Sequence, residues 1–201
     1  MTPRIVAQRV LLALGIALLT YAGGTTAYGR VTQRYQSWRF DQETLARASG
    51  APSADTGESR PDLADGERLG RLEIPRLGLS VMVFQGVEDE ALLAGAGHVP
   101  GTPSPGRDGN VVIAGHRDTY FRSLSKILPD DEIRLATTWG TYEYVVESSE
   151  TVDPDQTQVM ESRARSELTL ITCYPFFFVG HAPQRFIVHA RYTGVRTTAR
   201  R

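Results

Sequence analysis

A single cysteine, Cys173, stands in 201 residues. One thiol cannot close an intramolecular disulfide, and without a CxxC pair it offers neither a zinc cluster nor dithiol redox chemistry. Lysine is almost absent too: Lys126 stands alone, and the remaining basic residues are arginines scattered along the chain. With 22 Lys and Arg against 23 Asp and Glu the formal net charge is -1, so no global field draws nucleic acid or an anionic bilayer. Internal repeats are missing, as is any acidic cluster that would announce calcium binding. At this length, with 41% hydrophobic residues, the chain has room for one core plus a tether and a linker, and a single full domain is expected.

Long apolar runs are scarce as well, and the one instance lies at the N-terminus. Arg4 and Arg9 precede the run from Val10 to Leu19, which continues through Thr20, Tyr21 and Ala22 into small residues ending near Tyr28. The uncharged stretch covers about 19 positions, close to the roughly 20 that span a bilayer as a helix. Its strongly apolar part has the length of a signal-peptide core, and Thr25-Thr26-Ala27 offers a small-residue cleavage site. An uncleaved transmembrane helix and a cleaved signal both export the remainder of the chain. The expected organisation is an anchor or signal segment at 1–29, a flexible and part-helical linker at 30–67, a catalytic domain at 68–195 and a tail at 196–201. The Ala/Ser/Gly/Pro stretch from Ala48 to Gly57 has the composition of a spacer, and Val31 to Arg47 fits one short helix carrying Tyr35, Trp38 and Phe40.

From Leu69 onward, short apolar or alternating runs recur between turn residues: Leu72–Ile74, Leu79–Phe84, Asn110–Ala114, Ile133–Leu135, Tyr142–Val146, Leu168–Thr172 and Arg185–Ala190. Their β-branched and aromatic content, broken by Pro75, Gly78, Pro105-Gly106, Gly109, Pro129 and Gly140, reads as strands. Seven or eight such strands predict a mainly β fold, a barrel or sandwich, with short helices at Glu88–Ala94 and Tyr120–Leu128.

A thiol is a good nucleophile only as a thiolate, so a catalytic cysteine wants a base or cation close by. Cys173 follows the apolar strand Leu168–Thr172 and precedes Tyr174-Pro175, where a rigid strand hands over to a loop. His116 holds the equivalent place after Val111–Ala114, with Gly115 before it leaving room for a ligand to approach. If those strands are neighbours, thiol and imidazole face each other at one rim.

Thr169-Leu170-Ile171-Thr172-Cys173 resembles the TLxTC motif of sortases, the cysteine transpeptidases of bacterial surfaces, and Gly115-His116-Arg117-Asp118-Thr119 resembles their histidine motif, 57 positions upstream. Arg185, 12 positions downstream of the cysteine, is placed like the family's arginine. Gly97-His98-Val99-Pro100-Gly101-Thr102 and the N-terminal anchor fit as well; the likeness covers Gly70 to Tyr192 and is greatest to the class D type. It implies a closed sortase-like barrel of about eight strands. It also implies Cys173 as nucleophile, His116 as general acid and base, and Arg185 as donor to the substrate backbone and oxyanion. The implied substrate is an LPxTG- or LAxTG-like sorting signal near the C-terminus of a secreted protein. The implied acceptor is an amine of a cell-wall peptide or a pilin subunit, at the outer face of the cell membrane. No cofactor, metal or nucleic acid enters.

Other residues remain open. His98 either lines the site or is structural in its Gly/Pro-rich loop; Phe176-Phe177-Phe178 either walls a groove or packs under the loop; Asp118 is a candidate to orient His116. His181 and His189 read as structural, although His189 shares a strand face with Arg185. Two other functions compete: a tethered cysteine peptidase that only hydrolyses, using His116 and Cys173, and a metal-binding or adhesion module using His98, His116 and Cys173.

Overall fold

Alternation of side chains decides which way each strand faces, and in this chain it closes a sheet on itself. The structure, a computed structural model, describes residues 3–48, 63–161 and 165–196. Helix α1 (Pro3–Ala48) is followed by strands β1 (Arg68–Ile74) and β2 (Leu79–Gln85), helix α2 (Asp89–Ala94), then β3 (Ala96–His98) and β4 (Asn110–Ala114). After a 3-10 turn at Arg122–Lys126 come β5 (Glu132–Thr137), β6 (Thr141–Val152), β7 (Glu167–Tyr174) and β8 (Gln184–Arg196). The strands form a closed barrel in the order β1-β2-β3-β4-β7-β8-β6-β5, and β5 returns to β1. The mainly β, eight-stranded barrel expected from the sequence is therefore present, with short helices near both expected places.

Residues of one parity, among them Leu72, Val83, Ile113, Leu135, Leu170 and Val188, fill the interior and are almost fully buried. Each such side chain contributes roughly 1.5–3 kcal/mol relative to exposure. Closure leaves no unpaired edge, a stable solution for a sheet with a polar outer face. Two pairs run parallel, β2 with β3 and β4 with β7. The second brings the C-terminal ends of β4 and β7 to one rim of the barrel.

The N-terminal transmembrane helix expected from the sequence is not found: among the described residues no helix is long and apolar enough to cross a membrane. The strongly apolar run, Val10 to Leu19, is flanked by Gln8 and Arg9 on one side and by Gly23 and Gly24 on the other, all inside one continuous helix. Its apolar side chains are nonetheless in the open, from Val10 at 61% to Leu19 at 75% exposure. The spacer read at Ala48–Gly57 lies, apart from Ala48, outside the described residues.

The second half of α1 does not stand off as a spacer. Phe40 is only 1% exposed and packs with Met82, Phe84 and Ala91 on the outer face of the barrel. Arg68 and Arg71 lie over its ring at 5.7 and 5.2 Å, and reach Glu43 and Asp41 of the helix. Gln33 accepts from Met82 N at 3.0 Å and donates to Ala94 O, capping the place where the β2–β3 ladder begins. Tyr35 and Trp38 remain exposed. Because Phe40 is the apolar centre of this contact, Phe40→Ala should lower unfolding free energy by about 3 kcal/mol, the usual cost of an aromatic truncated in a core. A denaturant titration of the full chain measures it; an unchanged midpoint would show that α1 does not dock.

Candidate active site

The parallel pairing of β4 and β7 runs from Asn110 opposite Glu167 to Ala114 opposite Ile171. It extends one residue further through Gly115 N, which donates to Ile171 O at 3.0 Å, and Thr172 Oγ1, which donates to Gly115 O at 2.7 Å. The next residue along each chain is His116 and Cys173. The two strands are thus neighbours, and both half-buried residues emerge at the same barrel rim. On the other side of β7, Cys173 is register partner to Arg185 of β8. In β7 and β8 the interior positions are Leu168, Leu170, Val188 and Ala190, so Cys173 and Arg185 share the outer face of the wall. The structure brings together the segments of all three expected site residues.

Arg185 spends Nη1 on the carbonyls of Ala182 and Gln184, at 3.3 and 3.1 Å. Its Nε and Nη2 make no hydrogen bond among the described residues, leaving donors for a ligand. Cys173 is a free thiol, half-buried. The same outer face is framed further along by Asn110. It accepts from Thr169 Oγ1 at 2.9 Å and donates to Val159 O and Glu161 O, at 3.2 and 3.4 Å, so the β6–β7 connection is tied across the wall.

Gly115 departs from expectation. An added Cβ would meet the ring of Phe121 at 2.8 Å, and that ring is fully buried in the core. The room beside Gly115 is occupied by an aromatic of the protein, not kept for a ligand. The turn closes when Phe121 N donates to His116 O at 3.0 Å, so Phe121 both fills the core and fixes the main chain of the histidine.

His98 is 2% exposed. Its Nε2 meets Pro103 O and Thr102 Oγ1 at 3.1 Å each, and its Nδ1 meets Gln85 Oε1 at 2.9 Å, so both ring nitrogens are taken by the β3–β4 loop and β2. Burial pushes its pKa down, against a smaller upward pull from the Pro103 carbonyl. His98 is structural, which also removes it from any metal site shared with Cys173. Among the described residues no three His, Cys, Asp or Glu side chains gather as a metal-binding group. His189 is buried with Nε2 at 2.9 Å from Glu150, and His181 and Asp118 are exposed, Asp118 making no hydrogen bond to His116 among the described residues. Phe176 joins the core, stacking edge-on with Tyr174 and Phe186, whereas Phe177 and Phe178 are 75% and 48% exposed. A cavity of about 510 Å³ beside the histidine turn is lined by Thr119, Arg122, Lys126 and Phe177 among others, and by none of His116, Cys173 and Arg185.

The sequence places Arg117 in the histidine motif without assigning it a role. Its guanidinium donates to Pro175 O, Phe178 O and Gly180 O, each at 3.0 Å, joining the histidine turn to the loop after the cysteine. Its position beside His116 was the one available signal; its acceptors are main-chain carbonyls, which no side-chain pattern reveals.

A closed barrel carrying a strand-end thiol between an arginine and a histidine-bearing turn has the parts of a cysteine-based enzyme. The sortase domain matches residues 72–193, and the chain belongs to the sortase family, a family of cysteine transpeptidases. It is 35% identical to Sortase D of Bacillus subtilis (strain 168) over 127 residues, 63% of this chain and 64% of that protein, so it spans less than two thirds of that relative. A Sortase D5 transpeptidase from Clostridium perfringens superposes with a TM-score of 0.64 over 84% of this chain and 99% of that chain, at 22% identity, a likeness of fold alone. A sortase from Actinomyces oris superposes with a TM-score of 0.61 at 28% identity, over 72% of this chain and 92% of that chain.

Two explanations of Gly115 make different demands. With the Phe121 ring in place, Gly115→Ala overpacks the core and should cost about 1–3 kcal/mol of stability, seen as a lower thermal midpoint. Were the space open to a ligand, the midpoint would hold and only substrate affinity would fall.

Proposed function

We propose that this protein is a transpeptidase that cuts an LPxTG- or LAxTG-like sorting signal and passes the acyl part to an amine at the cell surface. The observation that carries this reading is the register that seats Cys173 opposite Arg185 and one residue beyond the Gly115–Thr172 hydrogen bond beside His116. Cys173 Sγ, as thiolate, attacks the scissile carbonyl carbon. The carbonyl oxygen takes up negative charge, which the free Nε and Nη2 donors of Arg185 stabilise. As the tetrahedral species collapses, the C–N bond breaks and His116 gives a proton to the departing amine, leaving a thioester. An incoming amine, from a cell-wall peptide or a pilin subunit, attacks that thioester and loses a proton to His116, and the thiolate leaves. Water in place of the amine gives hydrolysis.

We also propose that the N-terminal segment holds the barrel at the membrane, with the catalytic domain outside the cytoplasm. Support comes from Leu11, Leu12, Leu14, Ile16, Leu18 and Leu19, which are 56–75% exposed and would shed water in a lipid environment. Deleting residues 1–29 should move the protein from the membrane fraction to the soluble fraction, and an unchanged distribution would remove this part of the reading.

The catalytic reading is tested by incubating the full chain with a sorting peptide, with and without triglycine, and following products by mass spectrometry. A ligated product dependent on triglycine is expected. Cleavage without ligation would mark a peptidase. Cys173→Ala should abolish both reactions at an unchanged thermal midpoint. His116→Ala should cost about 10²–10⁴-fold in rate, and Arg185→Ala about 10²–10³-fold.

A further inference from the structure

The loop between β7 and β8, residues 175–183, directly joins Cys173 to Arg185 and carries Phe177, Phe178 and Val179 to the surface, Val179 at 98% exposure. Phe176 is its one residue buried in the core, and beyond Phe176 the loop has little burial of its own to fix it. Among the described residues, the side-chain hydrogen bonds into it come from two arginines. Arg185 reaches Ala182 O near the loop's end, and Arg117 takes Pro175 O, Phe178 O and Gly180 O, which span its first part. The Arg117 guanidinium also lies 5.8 Å from the centre of the Phe178 ring, and Arg122, from the same turn, lies 5.1 Å over Phe177. Arg117 is the residue after His116. One planar fork of donors therefore ties the segment bearing the base to the loop that leaves the nucleophile and enters the arginine strand.

Three carbonyls spread over six residues of one loop can converge on a single group only if that loop is curled around it. A guanidinium, with five donors in a fixed plane, can serve all three at once; an ammonium on its flexible stem is a compact point donor without that planar spread. The contacts are to main chain, so they restrain where the loop runs whatever side chains it presents.

We propose that Arg117 is a positioning residue: it clasps the β7–β8 loop to the histidine turn and thereby fixes the placement of His116 relative to Cys173 and the approach of Arg185. The clasp deepens the proposed function, since it rests on His116 and Cys173 acting as a pair. It places Arg117 behind the reacting groups, with no contact to substrate. Small errors in placement are costly in such a site: a displacement of about 1 Å can lower a rate by about 10²-fold.

The test compares full-length wild type with Arg117→Ala, Arg117→Lys and His116→Ala. Two readouts are needed, kcat and KM for a sorting peptide with triglycine, and the rate of alkylation of Cys173 by iodoacetamide as a function of pH without any peptide. Thermal midpoints establish that each variant is folded at the assay temperature. Arg117→Ala should lower kcat by about 10²-fold with KM changed only a few-fold, and should move the alkylation profile toward that of His116→Ala. Arg117→Lys, which keeps the charge but not the fork, should recover part of both. A kcat and an alkylation profile that stay at wild-type values in folded Arg117→Ala would overturn the proposal, as would a loss of rate explained by the unfolded fraction alone. If wild type forms no ligated peptide, the transpeptidase reading fails by itself, and the alkylation profiles still decide Arg117. A wild-type profile equal to that of His116→Ala would then overturn the clasp.

Discussion

Everything at the rim depends on the parallel pairing of β4 with β7. Parallel strands cannot be joined by a hairpin; they need a long crossover. Here the crossover consists of β5, β6 and their connections, which is also what closes the barrel. The pairing aligns two strand ends that point the same way, so the residue after Gly115 and the residue after Thr172 leave the sheet together. An antiparallel arrangement of the same strands would send histidine and cysteine to opposite ends. The last two hydrogen bonds of the pair, from Gly115 N and to Gly115 O, are what carry the alignment past the strand into the turn. The buried Thr172 hydroxyl contributes about 1 kcal/mol net, and leaving the Gly115 carbonyl without it would cost roughly 1–3 kcal/mol.

The third group arrives by a different route. β7 and β8 are antiparallel neighbours, with Cys173 opposite Arg185 and the connecting loop between them. The proposed nucleophile and donor are therefore fixed by one hairpin, and the proposed base is added by the parallel neighbour. The barrel supplies rigidity, while the loop after Cys173 supplies surface, with Phe177, Phe178 and Val179 available to a ligand. On the opposite side, the second half of α1 is bound to β1, β2 and α2 through Phe40, Gln33 and the Arg68 and Arg71 ion pairs. The exposed apolar stretch and the part that docks on the barrel thus belong to one continuous helix.

Most of the strands were legible because their interior positions alternate with polar ones, and a buried face at period two leaves a plain mark in sequence. β3 left none. It is three residues, Ala96-Gly97-His98, with no alternation to detect, and it exists because Gly97 lets its backbone approach Gly86, where a Cβ would meet the Gly86 carbonyl at 2.2 Å. Cys173 and His116 were legible as residues of suitable chemistry at strand ends, and Arg185 through the resemblance to the sortase motifs. What surrounds them was not. Gly115 makes way for Phe121, His98 is consumed by its own loop, and Arg117 bonds to carbonyls that every residue possesses. The docking of α1 was hidden for a related reason: Gln33, Asp41 and Glu43 are polar residues with no pattern that marks a contact, and one aromatic, Phe40, is the apolar centre around which they bind.

The central claim is that Cys173 becomes acylated by a sorting signal. Mixing the full chain with a sorting peptide in the absence of any amine, quenching in acid and measuring the intact mass tests it directly. With Cys173 as the acyl carrier, the mass rises by that of the acyl fragment, and the adduct maps to the peptide that contains Cys173 and is discharged by added triglycine. Cleavage of the sorting peptide with an adduct on another residue, or with none that triglycine can discharge, would contradict it.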